Sequence, residues 1–341
     1  APALGTAIKY HPGHYYHIPN QNPQTIIDNN EFKNTPALRG AQLRYTWMDF
    51  EPTKDGYKFD QLRSDLKALE AAGERLIILL QTKSFLANDH VVPEYMRNAT
   101  YDGGEFVYAA SGDSTKTPKG RNLALWNANV RARLNKLINR LGTEFNAELY
   151  FEGIGIAETA VGIPVGSVPN FSESKFFSNL LVVNKAMKLS FPNTMTFQFM
   201  NYPPGELEKF IVGPSGLTTF AGGLGGPDVW MDDPGVNGPG RVYSYYDRVS
   251  HQLPLLPSIM FGNYKWSRYG GGFKPGLNQL LTKAREDLHA NYLFWSRVSK
   301  AGDPGYYTDV LALLNQPAQK ANVSGGLDST CPSTFPSCYR N

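Results

Sequence analysis

The sequence predicts a single (β/α)8 barrel from three observations. Strand-like and helix-like segments alternate eight times, no second compositional zone interrupts them, and 341 residues suit one large barrel with loops. Strands are expected at 6–11, 41–46, 75–81, 149–156, 194–200, within 218–231, at 257–261 and at 290–295. Helices are expected at 23–32, 60–72, 123–141, 173–189, 206–211, 242–252, 277–289 and 306–314. In the third, Leu123, Trp126, Val130, Leu134 and Leu137 recur every three or four residues, the spacing of one buried helix face. The whole chain, 1–341, is expected to be one domain with a short tail, 317–341.

Two long segments interrupt the alternation. Residues 84–121 are polar and rich in Gly, Asp, Ser and Thr, and 221–240 are rich in Gly. Both follow predicted strands and belong on the face where barrel active sites are built. A loop this long in a compact domain is usually functional or disordered.

Composition narrows the partners. Hydrophobic residues make up 41% of the chain and charged residues 18%, below the roughly 25% usual in soluble proteins. Aromatics reach 13%, with 19 Tyr and 5 Trp, more than one core needs. Flat apolar faces with polar edges suit carbohydrate grooves and also protein interfaces. The net charge is +3 and basic residues form no run, which argues against nucleic acid. The longest strongly apolar run, 76–80, is too short to span a membrane. A carbohydrate substrate, no cofactor, no metal and a monomeric state are the expectations.

Cys331 and Cys338 enclose six residues, including Pro332 and Pro336, in a polar tail. That spacing permits a disulfide pinning the tail, and two Cys without matching His argue against a metal site. A small disulfide fits an oxidising compartment. The chain opens Ala1-Pro2-Ala3 with no apolar leader, which suits a mature protein; a secreted or periplasmic location is expected.

The chemistry-bearing stretches begin at Leu43-Arg44-Tyr45-Thr46-Trp47-Met48-Asp49-Phe50-Glu51-Pro52, with Gly56-Tyr57-Lys58-Phe59 after it. An apolar strand carries an Arg donor and a Trp platform to its end, and two turns then lead into a helix. The stretch resembles the second β/α unit of the retaining β-glycosidase clan with (β/α)8 barrels. The resemblance implies that Arg44 orients a catalytic carboxylate, or else braces one structurally. It implies a general acid/base Glu at the end of strand four, where Gly153-Ile154-Gly155-Ile156-Ala157-Glu158 places Glu158. Ala157 stands where the clan typically has an Asn that contacts the sugar. Desolvation at a barrel mouth raises a carboxyl pKa, as glycosidic protonation requires; the alternative for Glu158 is a cap on the next segment. At strand eight, Tyr292-Leu293-Phe294-Trp295-Ser296 resembles the clan's Trp that floors the sugar subsite, although Trp295 could instead be core.

Strand seven departs from the clan. Pro257-Ser258-Ile259-Met260-Phe261-Gly262-Asn263-Tyr264-Lys265-Trp266 contains no carboxylate where the clan has its nucleophilic Glu. Retaining hydrolysis needs two carboxyl groups roughly 5 Å apart, and inverting hydrolysis needs them roughly 6.5–9.5 Å apart. The second group is sought in Asp228-Val229-Trp230-Met231-Asp232-Asp233. If strand six runs 227–231, Asp232 and Asp233 emerge at the rim; if it runs 218–222, all three Asp lie in its loop. Asp228 and Asp232 are the catalytic candidates, Asp49 is a weaker one, and a loop Asp can equally be a turn residue.

Candidate substrate contacts are Arg44, Trp47, Gln81, Asn201, Trp230, Asn263, Tyr264, Trp295 and His14, with Lys83 and Gln198 also near strand ends. His11, His14 and His17 lie close together, but three-residue spacing sends His14 to the opposite side of an extended strand from the other two. A turn at Pro12-Gly13 would present His14 to substrate. No phosphate loop and no Gly-x-Ser-x-Gly elbow is present.

The leading expectation is a secreted glycoside hydrolase of poly- or oligosaccharides with Glu158 as general acid. The alternatives are a polysaccharide lyase acting on a uronate-containing glycan, drawing on His14, Lys83, Tyr264 or Arg44, and a glycan-binding barrel without activity.

Overall fold

The computed structural model describes residues 4–19, 22–265 and 274–341. Its strands run β1 (Ile8–Lys9), β2 (Gly13–Ile18), β3 (Leu38–Thr46), β4 (Arg75–Gln81), β5 (Glu105–Ala109) and β6 (Gly120–Leu123). They continue with β7 (Phe151–Ile156), β8 (Ile163–Pro164), β9 (Met195–Phe199), β10 (Gly223–Gly226), β11 (Leu255–Ile259), β12 (Tyr292–Ser296) and β13 (Cys338–Tyr339). Eight of these close a barrel in the order β10-β11-β12-β2-β3-β4-β7-β9, and every pair is parallel. Helices link successive barrel strands, so the fold is the expected (β/α)8 barrel.

Alternation along each strand sorts side chains between two cores. Tyr15, Ile77, Leu79, Phe197, Leu256, Tyr292 and Phe294 fill the barrel, while Tyr16, Leu43, Ile78, Ile154 and Leu293 meet the helices. Gly155 on β7 makes room for this filling, because a Cβ there would overlap the Phe197 ring.

The first expected strand, 6–11, is not the first barrel strand. Pro12 has no amide to give to a ladder, and the barrel begins after it, at Gly13. Ile8–Lys9 pairs instead with Cys338–Tyr339 of the tail. The helix expected over 123–141 starts later, at Ala128, because the Asn127 side chain accepts from the amides of Asn129 and Val130 and Leu123 belongs to β6. Strand six is Gly223–Gly226, so Asp228, Asp232 and Asp233 all follow it in a loop.

The tail closes the end of the barrel where the strands begin. Cys331 and Cys338 are bonded. Phe335 packs edge-on to Tyr10 with centroids 5.9 Å apart, and the Tyr10 hydroxyl donates to Thr330 O at 2.9 Å. Above this plug sits buried Glu152, which accepts from the His11 amide and the Tyr292 hydroxyl, both at 2.6 Å. Burial alone would push the Glu152 carboxyl up, but His11, Arg75 and Tyr292 outweigh it and hold it well below the usual carboxylate range. Because the disulfide closes a short loop, its reduction should cost roughly 2–3 kcal/mol of unfolding free energy. Urea unfolding of Cys331→Ser against wild type reads this, and equal midpoints would contradict it.

At the other end of the barrel, the segment after β4 forms the antiparallel pair β5-β6, and β8, from the segment after β7, adds a third strand in the order β6-β5-β8. The sheet is fastened to the strand exit by a bridge between Lys83 and Asn122 and by the Tyr108 hydroxyl, which donates to Ser84 O at 2.9 Å.

Candidate active site at the C-terminal end of the barrel

Four neighbouring strands build the site by one rule. In the barrel order β4-β7-β9-β10, the last strand residues are Gln81, Ile156, Phe199 and Gly226. Two residues past each stand Lys83, Glu158, Asn201 and Asp228. Neighbouring parallel strands, each staggered by one residue at its end, deliver equivalent exits to the same face, and these four side chains line one cleft. The Lys83 ammonium lies 2.6 Å from Glu158 Oε1, and the Asn201 amide donates to Glu158 Oε2 at 3.3 Å. Glu158 is thus gripped from the strand on either side.

Arg44 comes up from inside β3. Burial lowers its pKa, and the charges of Glu158 and Asp228 both oppose that shift, so both carboxylates act on the same guanidinium. Beside it, His17 Nδ1 and Gln42 Oε1 are 2.9 Å apart. Burial, then the Arg44 charge, drives the His17 pKa well below its ordinary value, which favours the neutral imidazole.

Glu158, Asp228, Asn201 and Lys83 line a cleft of about 720 Å³. Phe85, Tyr108, Tyr202, Trp230 and Tyr243 give it aromatic walls, and Asp233, Glu173 and Lys119 add charge. The loop after β10 is pinned by Tyr243, whose hydroxyl donates to Asp228 O and accepts from the Trp230 amide, both at 2.9 Å. Asp233 accepts from the Gly235 amide at 2.7 Å and from the Tyr202 hydroxyl at 3.4 Å, which shapes the turn behind Asp228. Asp232 is not among the described residues lining the cleft.

Several expected substrate contacts lie elsewhere. Trp295 has an odd position on β12, whose inward residues are Tyr292 and Phe294, and is wholly buried in the outer core. Its indole donates to His14 Nδ1 at 3.0 Å, and His14 Nε2 lies 3.0 Å from Gly325 O. His14 therefore faces the C-terminal segment, not the cleft. Trp47 starts the turn after β3 and donates to buried Glu51 at 2.9 Å. The Tyr264 hydroxyl donates to Ser296 O at 3.0 Å. Asn263 accepts from the amides of Met260 at 2.7 Å and Val229 at 3.2 Å. Gln81 spends its amide on Lys83 O and is not among the described lining residues. What strand ends alone missed are the walls Phe85, Tyr108, Tyr202 and Tyr243. The first two were signalled by aromatic residues inside the polar 84–121 segment.

Burial of His14 has a pH consequence. Its pKa falls from 6.5 to about 4 by desolvation, with a hydrogen bond to Gly325 pulling weakly upward. The unfolded chain takes up this proton first, so the associated stability is complete above pH 6.5 and disappears as the pH falls towards 4. The loss should be about 3 kcal/mol. Urea unfolding at intervals across that window should show a shallower pH slope for His14→Gln than for wild type; parallel slopes would contradict it.

No family model and no curated protein matches the chain. Solved structures share its fold. The catalytic domain of β-amylase from Paenibacillus polymyxa superposes with a TM-score of 0.56 at 10% identity, over 88% of this chain and 96% of that one. Endo-glycoceramidase II from a Rhodococcus species gives 0.57 at 13% identity, over 91% of this chain and 80% of that one. β-Galactosidase from the psychrophilic Marinomonas ef1 gives 0.56 at 9% identity, over 93% and 61%. The shared fold is the (β/α)8 barrel. At these identities the likeness is one of architecture, and the site must carry the functional reading by itself.

Proposed function

We propose that the protein is a glycoside hydrolase of poly- or oligosaccharides, with Glu158 as proton donor and Asp228 as the second carboxylate. The observation that carries this is the convergence of Glu158 and Asp228 in one aromatic-walled cleft, with Arg44 subject to both charges. Hydrolysis of an acetal needs a proton on the departing oxygen and a carboxylate that attacks, or activates water, at the anomeric carbon. Glu158 supplies the first and Asp228 the second. Asn201 supports the assignment by donating to Glu158 from the next strand exit. The flat faces of Trp230 and Tyr202 suit sugar rings, whose axial C–H groups pack on aromatic surfaces.

The lyase reading keeps Lys83 and Arg44 but loses its other candidates, because His14 and Tyr264 are buried against structural partners. The disulfide supports a secreted or periplasmic location. The test is incubation with a panel of neutral, amino and acidic polysaccharides, following reducing ends and ultraviolet absorbance together. New reducing ends without a new C=C absorbance are expected from at least one polymer. Absorbance rising with the reducing ends would make the protein a lyase, and binding without products would make it a lectin-like barrel.

A further inference from the structure

The geometry points to Lys83 as a positioning residue that holds Glu158 for proton delivery and receives its charge as the proton leaves. This rests on the hydrolase reading above. The Lys83 side chain is only 4% exposed, yet it ends at the cleft, where its ammonium bonds Glu158 Oε1 and Ala160 O, each at 2.6 Å. Its remaining surface is packed by aromatic rings, with the Tyr108 centroid at 4.6 Å and the Phe85 centroid at 5.2 Å. A cation between two ring faces and two oxygens has little freedom to move.

The mount is as constrained as the ammonium. The Lys83 carbonyl accepts from the Gln81 side chain, its backbone bridges Asn122 on β6, and the next carbonyl, Ser84 O, is held by Tyr108. The antiparallel sheet after β4 therefore does more than wall the cleft: it fixes a charge against the acid. Glu158 has two oxygens with different duties. Oε1 is bound tightly by Lys83, whereas Oε2 accepts only the longer bond from the Asn201 amide; the role assigned to Lys83 puts the transferable proton on Oε2. In the reaction the Oε2–H bond breaks and an O–H bond forms on the glycosidic oxygen. The C1–O bond then gives its electron pair to that oxygen, and Glu158 becomes a carboxylate. Lys83 is already in place to meet the new charge, and a preorganised partner of this kind stabilises the transition state without reorganising.

The residue acts through Glu158, so its removal should have the signature of impaired acid catalysis. The probes are the polymer from which wild-type enzyme releases reducing ends and the dinitrophenyl glycoside of the same sugar, whose leaving group needs no proton. Lys83→Met should lower kcat on the polymer by about 10²-fold, since a misplacement near 1 Å can cost that much, with KM changing less than about threefold. On the dinitrophenyl glycoside the loss should shrink to less than about threefold. The double variant Lys83→Met/Glu158→Gln should be no slower than Glu158→Gln alone, because the two residues act as a unit. Circular-dichroism melting checks folding, and Lys83→Gln replaces the Met variant if that one does not fold. Equal losses on both substrates, a double variant slowed by the product of the single effects, or unchanged turnover in Lys83→Met would overturn the role. Those results leave the hydrolase reading standing, whereas a wild-type protein that releases no reducing ends from any polymer removes both.

Discussion

Glu158→Gln should lower turnover on an unactivated glycoside by about 10³–10⁴-fold while KM changes little, because general acid catalysis is worth about 10²–10⁴-fold and this substitution removes the proton that the proposed mechanism draws from Glu158. The amide keeps the shape of the acid, and its oxygen can still accept from Lys83 as Glu158 Oε1 does at 2.6 Å. Folding and substrate binding should therefore survive. The effect belongs to the chemical step, so it should fade as the leaving group becomes more acidic. Steady-state kinetics on a sugar polymer and on an activated aryl glycoside give both readings. Wild-type turnover on the polymer would remove Glu158 from the mechanism, and an equal loss on both substrates would point to damage other than a missing proton.

Asp228→Asn should be nearly as severe, with a loss of about 10³-fold on both kinds of substrate. A missing nucleophile or base is needed whatever the leaving group. The parallel Asp232→Ala change should stay within about threefold, because Asp232 is not among the described residues lining the cleft. Asp233→Ala has a different expected signature. That carboxylate accepts from the Gly235 amide and Tyr202, so its loss should loosen the loop that carries Asp228, raising KM and lowering thermal stability together. Normal activity in Asp228→Asn would leave the reaction without its second carboxylate.

The barrel was legible because its strands and helices keep their periods, and the disulfide because Cys331 and Cys338 are the only cysteines and stand close together. Strand phase was not legible. A parallel barrel strand is buried on both faces, so apolar residues occupy both parities and the sequence does not mark which side faces in. That is why Trp295, expected under a sugar, lies among the helices with His14, while Phe294 beside it fills the barrel. Glu158 was legible as a cleft residue because it follows an apolar strand end directly. Its partnership with Lys83 was not, because it depends on β4 and β7 being neighbours and on equal exit lengths, which appear only when the barrel closes. The β10 exit was harder still. Gly223–Gly226 carries a single side chain and scarcely registers as a strand, so Asp228 could be narrowed only to a segment.

The most direct measurement is digestion of the responsive polymer in water enriched with oxygen-18, followed by mass spectrometry of the products. Hydrolysis by Glu158 and Asp228 predicts one oxygen-18 at each newly formed reducing end and saturated sugars on both sides of the cut, with no such products from Glu158→Gln on the same timescale. Products that carry an unsaturated ring and no oxygen-18 would contradict hydrolysis, and would mean that the cleft eliminates across the glycosidic bond.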